Sequence, residues 1–249
     1  MSDSRPGLRR LAACAALGLA LCAGLTGCSK PPGTELFPLD AGHRWTYRMV
    51  TEFETGATDV ETLVLSNLGS DSLPNGAGSA MHRRSASGVD YWLRADDTGI
   101  WRVASKSDVM AEPELDPKEE AKRRYVLKAP IAVGTSWQAS TTAYVLKRRS
   151  EFPPEIRHTH PKVPMSFAID ALDQKVDTRA GSFAGCVRVR GKGTVKLFVD
   201  PVAGWQDLPL TSLEWYCPGV GLVRLERSEP ANSTFLVGGN VTMDLISWQ

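Results

Sequence analysis

The chain has little charge imbalance, few histidines and no long apolar run beyond its first thirty residues, and each shortage removes a class of function. Lys and Arg number 29 against 28 Asp and Glu in 249 residues, with 4 His. A balance this close to neutral leaves no electrostatic footprint for nucleic acid, which is not expected as a partner. The densest basic run, Lys147-Arg148-Arg149, is no larger than an ordinary solvated strand end or loop. Motifs that carry chemistry are also scarce. Gly181-Ser182-Phe183-Ala184-Gly185 centres Phe183 where the nucleophile elbow of a hydrolase needs serine. Gly219-Val220-Gly221 lacks the third glycine and the following helix of a dinucleotide loop. Asp96-Asp97-Thr98-Gly99 reads as a tight turn with too few oxygens for calcium. No cofactor and no enzymatic activity are expected.

What the chain does have begins at its N-terminus. Arg5, Arg9 and Arg10 precede an almost purely apolar stretch from Leu11 to Leu25, the arrangement of a secretory signal. A run of about 15 residues is short for a hydrocarbon core that takes about 20. The stretch ends in Leu25-Thr26-Gly27-Cys28, which resembles the lipobox of bacterial lipoproteins. The resemblance implies cleavage before Cys28, removal of residues 1–27 and acylation of the Cys28 sulfur. One acyl chain holds marginally, whereas the two or three of such a cysteine hold stably, so the membrane is the first expected partner. Ser29 stands where an inner-membrane retention signal usually places Asp, which by the same resemblance favours the outer membrane, facing the periplasm. Residues 28–35, with Pro31-Pro32-Gly33, read as a short stiff tether, and residues 36–249 as the body.

Cysteine usage follows from the compartment. Cys14 and Cys22 leave with the signal and Cys28 is taken by lipid, so Cys186 and Cys217 remain where disulfides persist. Their pairing is expected, with two separate buried thiols as the alternative. Closing a loop of about 30 residues removes roughly 3 to 4 kcal/mol of unfolded-state freedom in the chain-entropy view.

Two phrases recur along the body. Pro38, Gly42 and Trp45 are matched at identical spacing by Pro130, Gly134 and Trp137. Tyr91-Trp92 followed by Gly99-Ile100-Trp101-Arg102-Val103 is echoed by Trp215-Tyr216 followed by Gly221-Leu222-Val223-Arg224-Leu225. The same order in both halves suggests duplication of one unit, repeat one at about 36–110 and repeat two at about 125–249. The second copy is longer, and the Pro-rich stretches 151–164 and 201–209 are its candidate insertions.

Each opening phrase looks like a turn feeding a strand. Proline fixes one dihedral, glycine permits a positive one, and tryptophan opens an extended run. Trp45, Tyr47, Met49, Thr51 and Phe53 alternate with Arg44, Thr46, Arg48, Val50 and Glu52, a period of two. Further extended signals lie at 60–68, 89–95, 99–104, 134–147, 163–171, 183–190, 193–199, 211–216, 220–227 and 233–247. Gly191-Lys192-Gly193 reads as a hairpin between two of them. One segment, about 111–124, has a helical flavour and is expected as a short surface helix linking the halves. The fold class is therefore all-β: an antiparallel curled sheet, half-barrel or sandwich built from two related repeats, with one short helix.

The phrases Phe37-Pro38-Leu39 with Gly42 and Trp45-Thr46-Tyr47, and Tyr216-Cys217-Pro218-Gly219-Val220-Gly221-Leu222-Val223, resemble a group of uncharacterised bacterial secreted lipoproteins. The resemblance implies no activity. Architecture gives an analogy with curled-sheet carriers and chaperones that shelter acyl chains. The leading expectation is a noncatalytic binding or assembly module for a lipid, another amphipathic ligand or an envelope protein. A structural accessory subunit of an envelope complex is the alternative. A hydrolase or metalloprotein would centre on His158 and His160, with Glu155 or His82 completing a metal site, although the prolines around that pair favour a solvated loop.

Overall fold

Alternation of period two becomes strand wherever one side of a segment can be buried and the other left wet. The computed structural model describes residues 30–74, 76–108, 110–148, 162–200 and 202–249. Its strands are β1 (Arg44–Phe53), β2 (Thr58–Ser72), β3 (Ser79–Ser85), β4 (Asp90–Asp96), β5 (Gly99–Lys106), β6 (Glu114–Leu115), β7 (Arg124–Lys128) and β8 (Ser136–Thr141). They continue with β9 (Lys147–Arg148), β10 (Val163–Thr178), β11 (Gly181–Asp200), β12 (Gly204–Cys217), β13 (Gly221–Glu229), β14 (Leu236–Val237) and β15 (Gly239–Trp248).

Thirteen of these strands form one antiparallel sheet. The meander β1 to β5 ends with β6 and β7 sharing the outer edge of β5, and a second meander runs β8, β10, β11, β12, β13, β15. The last strand of the second pairs with the first strand of the first, Met49 opposite Met243. β7 and β8, at the two ends of this order, lie side by side with no ladder between them, so the sheet curls without closing. One apolar cluster shows the curl directly, joining Trp101, Tyr125 and Leu127 of β5 and β7 to Trp137, Ile169 and Val189 of β8, β10 and β11. Strands from both halves thus bury their inward residues against each other.

The recurrent phrases occupy corresponding places in the two meanders. Gly42 and Gly134 both turn the chain with positive φ, 91° and 94°, immediately before the strands that carry Trp45 and Trp137. The second phrase spans the β4 to β5 hairpin in one half and the β12 to β13 hairpin in the other.

Two local expectations are corrected. Among the described residues the segment 111–124 contains no α-helix. Glu114 and Leu115 instead pair with Ser105 and Ala104 of β5, and a single 3-10 turn covers Glu120–Lys122. The segment has too few apolar residues to bury a helical face, while the edge of β5 offers it ladder bonds and Arg102 takes its Asp116. Nor is Gly191-Lys192-Gly193 a hairpin, since it lies within the 20-residue β11. Both glycines are there for closeness. A Cβ on Gly191 would stand 2.4 Å from Ser212 Oγ and 2.8 Å from Met165 and Phe167, and one on Gly193 2.7 Å from Met165. Side chains of the neighbouring strands lie across the backbone at these two points.

The N-terminal segment folds back into one end of the curl from Pro31 onward. Leu36 and Phe37 are buried, and Gly33 accepts hydrogen bonds from the N–H groups of both. Asn67 of β2 donates to the carbonyls of Pro38 and Asp40, and Gly219 N–H donates to Glu35. That end of the curl is plugged. Among the described residues no helix is long and apolar enough to cross a membrane.

Candidate functional site

Cys28, His158, His160 and Glu155 lie outside the described residues, and the basic run is described only to Arg148. Cys186 and Cys217 are joined in a disulfide linking β11 to the end of β12, inside the apolar cluster of Trp45, Tyr47 and Val220. Trp45 donates from its indole to the Val220 carbonyl at 2.6 Å, while Trp137 stacks on Phe167 with centroids 5.9 Å apart. The Pro38 carbonyl accepts from the Asn67 side chain of β2, and the Pro130 carbonyl accepts from Thr135 Oγ1. These phrase residues are structural in their contacts. His82 is engaged as well: it stacks on Trp92, meets Asp90 at 2.7 Å and faces Asp71 at 3.6 Å with its other nitrogen. Carboxylates thus face both ring nitrogens of His82, and Asp90 is also held by Arg84. Burial works to raise the Asp90 carboxyl, but the hydrogen bonds from Arg84 and His82 outweigh it and hold it below the ordinary range. No group of three metal-ligating side chains occurs among the described residues.

The concave face holds a different kind of site. The registers of β2, β1, β15 and β13 align Leu63 with Tyr47 and Leu245, and Met49 with Met243 and Leu225. These side chains point the same way, and around them lies a cavity of about 650 Å³. Its wall is apolar over Met49, Leu63, Leu65, Leu222, Leu225 and Met243, with Ser85 and Ser87 on its rim and Tyr91 and Tyr144 at its side. Met49, Leu63, Leu65 and Leu225 are only half-buried because they face this space.

Tyr144 belongs to the loop after β8, and a buried ion pair fixes it there. Glu229 is 0% exposed and accepts hydrogen bonds from the backbone N–H groups of Tyr144, Val145 and Leu146 at 2.8 to 3.0 Å. Arg227 donates to Glu229 at 2.5 Å and to the Thr142 carbonyl at 2.7 Å, and its guanidinium lies 4.0 Å from the Tyr144 ring centroid. Each charge satisfies irregular backbone that the sheet cannot pair.

Toward the plugged end the interior becomes polar. Arg83 is sandwiched between Phe37 and Trp45, 4.1 and 4.5 Å from their ring centroids, and donates to Asn67 Oδ1 and the Pro38 carbonyl. Burial pushes it down to about 10, against the pull of Tyr47 and Tyr216, so it stays protonated at neutral pH. Burial raises the Tyr47 hydroxyl, with Arg83 opposing. Burial likewise raises the Glu214 carboxyl although Tyr216 donates to it at 2.5 Å, and Tyr216 is raised by burial and then by Glu214. Ser212 Oγ, two residues before Glu214 on β12, is buried beside it and opposes the rise of its carboxyl. Arg102 and Arg124 stand opposite each other on β5 and β7. Arg102 is paired with Asp116 through two hydrogen bonds.

Arg83, Arg124, Glu214 and Glu229 escaped sequence reasoning. Their signal was a charge placed in phase with the apolar face of a strand, as Glu229 follows Leu225 and Arg227 at period two. Which face is inward depends on bulges, and the ladder shifts register at several points, including Trp92/Leu93 and Trp215/Tyr216.

The chain is therefore an all-β protein whose large open antiparallel sheet curls around an apolar cavity, plugged at one end by its own N-terminal segment. No family model matches it, and no curated protein matches it. Among solved structures it is similar to a candidate lipoprotein from Parabacteroides distasonis, at 17% identity and a TM-score of 0.41, over 86% of this chain and 98% of that one. It is also similar to a candidate exported protein of YmcC-like fold from Bacteroides fragilis, at 15% identity and a TM-score of 0.35, over 84% and 96%.

Proposed function

We propose that the chain is a lipid-anchored envelope lipoprotein, attached through Cys28, whose curled sheet binds one amphipathic ligand on its concave face without transforming it. The observation that carries this reading is the cavity of about 650 Å³ walled by half-buried Met49, Leu63, Leu65 and Leu225. Its size falls within the range of about 300 to 1,000 Å³ of small-molecule sites. Apolar side chains left partly exposed in a concave space gain by covering, at about 25 cal/mol for each Å² removed from water. Hydroxyl side chains of Thr62, Ser85, Ser87, Tyr91 and Tyr144, with the carboxyl of Glu61, line the space beside its apolar wall, which suits a ligand with a tail and a polar head. The anchor rests on the signal and the lipobox resemblance, and the outer membrane, on its periplasmic side, is the proposed location.

Native mass spectrometry of the detergent-extracted protein tests the binding half. The expected result is a co-purified amphiphile, lost when Leu63→Trp fills the cavity. A bare protein mass that persists after incubation with lipid extract overturns it and leaves a structural accessory subunit as the reading. Radiolabelled palmitate tests the anchor, with label expected in the wild type and absent from Cys28→Ala.

A further inference from the structure

Resting on that cavity reading, we propose that the occupant is a single-chain amphiphile with an uncharged, hydroxyl-bearing head, in its simplest form a monoacylglycerol, and that Glu61 turns anionic heads away. Along β2, Glu61 stands in phase with Leu63 and Leu65 and opposite Met49 of β1, so it shares the face that lines the cavity. It is exposed, whereas Leu63 and Leu65 are half-buried, which puts its carboxylate at the rim. Among the described residues that line the space there is no Lys, Arg or His. The remaining polar side chains there, Thr62, Ser85, Ser87, Tyr91 and Tyr144, all carry hydroxyls.

Each kind of head meets this lining differently. An anionic head gives up water for hydroxyls alone, faces the like charge of Glu61 and finds no cation in the lining to offset the loss. Arg227, against the Tyr144 ring, is already committed: it donates to Glu229 and to the Thr142 carbonyl, with its guanidinium 4.0 Å from the ring centroid. A cationic head finds one exposed carboxylate, a contact worth little in water, and a Tyr144 ring that already carries Arg227. A hydroxylated head both gives and takes hydrogen bonds, so the hydroxyls and the Glu61 carboxylate all partner it without burying a charge. Burial raises the Tyr91 hydroxyl, with Tyr144 adding to the rise and Arg102 and Arg124 opposing it, so this group is a donor at neutral pH. Volume selects the number of tails. At about 30 Å³ for a water-sized group, 650 Å³ holds roughly 20 such groups, enough for one chain and a small head but not for a diacyl lipid.

The test uses the processed, acylated protein in phosphatidylcholine vesicles, given photo-activatable probes that share one myristyl tail and carry a glycerol, a sulfate or a trimethylammonium head. Each probe is supplied at the same amount per vesicle lipid, and labelling is read on the peptides that carry Met49, Leu63 and Leu225. In the wild type the glycerol probe is expected to label these peptides about tenfold more than either charged probe, the discrimination of one charge left without a partner. Glu61→Gln, a change at an exposed position, is expected to raise labelling by the sulfate probe about threefold and so narrow that ratio. Labelling of the wild type by a charged probe that equals or exceeds labelling by the glycerol probe overturns the assignment of the head and leaves the cavity reading intact. Sulfate labelling that fails to rise in Glu61→Gln overturns the part given to Glu61. Labelling of those peptides by none of the three probes defeats the cavity reading itself.

Discussion

The two ends of the curled sheet are covered by irregular backbone in opposite ways. At the plugged end, carbonyl groups of the N-terminal segment need donors, and a buried cation, Arg83, supplies one to Pro38. At the other end, N–H groups of the loop at 144–146 need acceptors, and a buried anion, Glu229, supplies them. The plug also buries Leu36 and Phe37, whereas the loop leaves Tyr144 58% exposed. The same physical device therefore seals one end with apolar cover and leaves the other as a mouth. On the proposed binding reading, a ligand enters past the loop, at the end away from the N-terminal segment.

The comparison breaks most readily at the mouth. Glu229→Ala leaves Arg227 buried without its partner and orphans the three N–H groups that the carboxylate satisfies. A loss of about 3 to 5 kcal/mol is expected, the range for removing one member of a buried pair, measured as a fall in the denaturation midpoint. Hydrogen exchange at the amides of Tyr144, Val145 and Leu146 is expected to quicken with it. Slow exchange at those amides in a folded variant would show that the loop is held by packing alone.

At the plugged end the expected effect is smaller. Arg83→Met gives up hydrogen bonds to Asn67 and Pro38 and the stacking between Phe37 and Trp45, but it also removes the burial of a charge. The two partly offset, so a loss of about 1 to 3 kcal/mol is expected. Arg83→Lys is expected to do no better, because an ammonium lacks the planar fork that reaches both acceptors while lying between two rings. A loss as large as that of Glu229→Ala would mean that the plug, despite its apolar cover, depends on its cation as heavily as the loop does on its anion.

Much of this architecture was legible in the residues. Trp45, Tyr47 and Met49 alternate cleanly with polar neighbours, because β1 packs one face inward and leaves the other wet. The pairing of Cys186 with Cys217 followed from counting the thiols that an exported chain retains. Gly191 and Gly193 misled because hairpin glycine and close-approach glycine look alike until the side chains of the neighbouring strands are known. The segment 111–124 misled because helix propensity in Lys and Glu is a weak prior that edge pairing on β5 overrides. The cavity itself was not legible. It depends on which of two strand faces turns inward after each bulge, and on the meeting of Tyr91 with Tyr144 and of Met49 with Met243, which are far apart in sequence.

In the polar interior toward the plug, Glu214 makes stability depend on pH. Glu214 is raised from its ordinary 4.5 by burial, with the Tyr216 hydroxyl opposing. A carboxyl whose folded value lies above its unfolded one stays neutral in the fold where the unfolded chain has already ionised. Its contribution is therefore fully present below the unfolded value and is lost as pH rises through the folded value. Glu214→Gln, which cannot ionise, is expected to match the wild type near pH 4 and to become progressively the more stable of the two as pH climbs above 4.5. Denaturant midpoints of both proteins across that range measure the divergence. Curves that stay parallel would mean that Glu214 is wetted through the open mouth, and that the polar interior near the plug is less sealed than Arg83 and Tyr216 indicate.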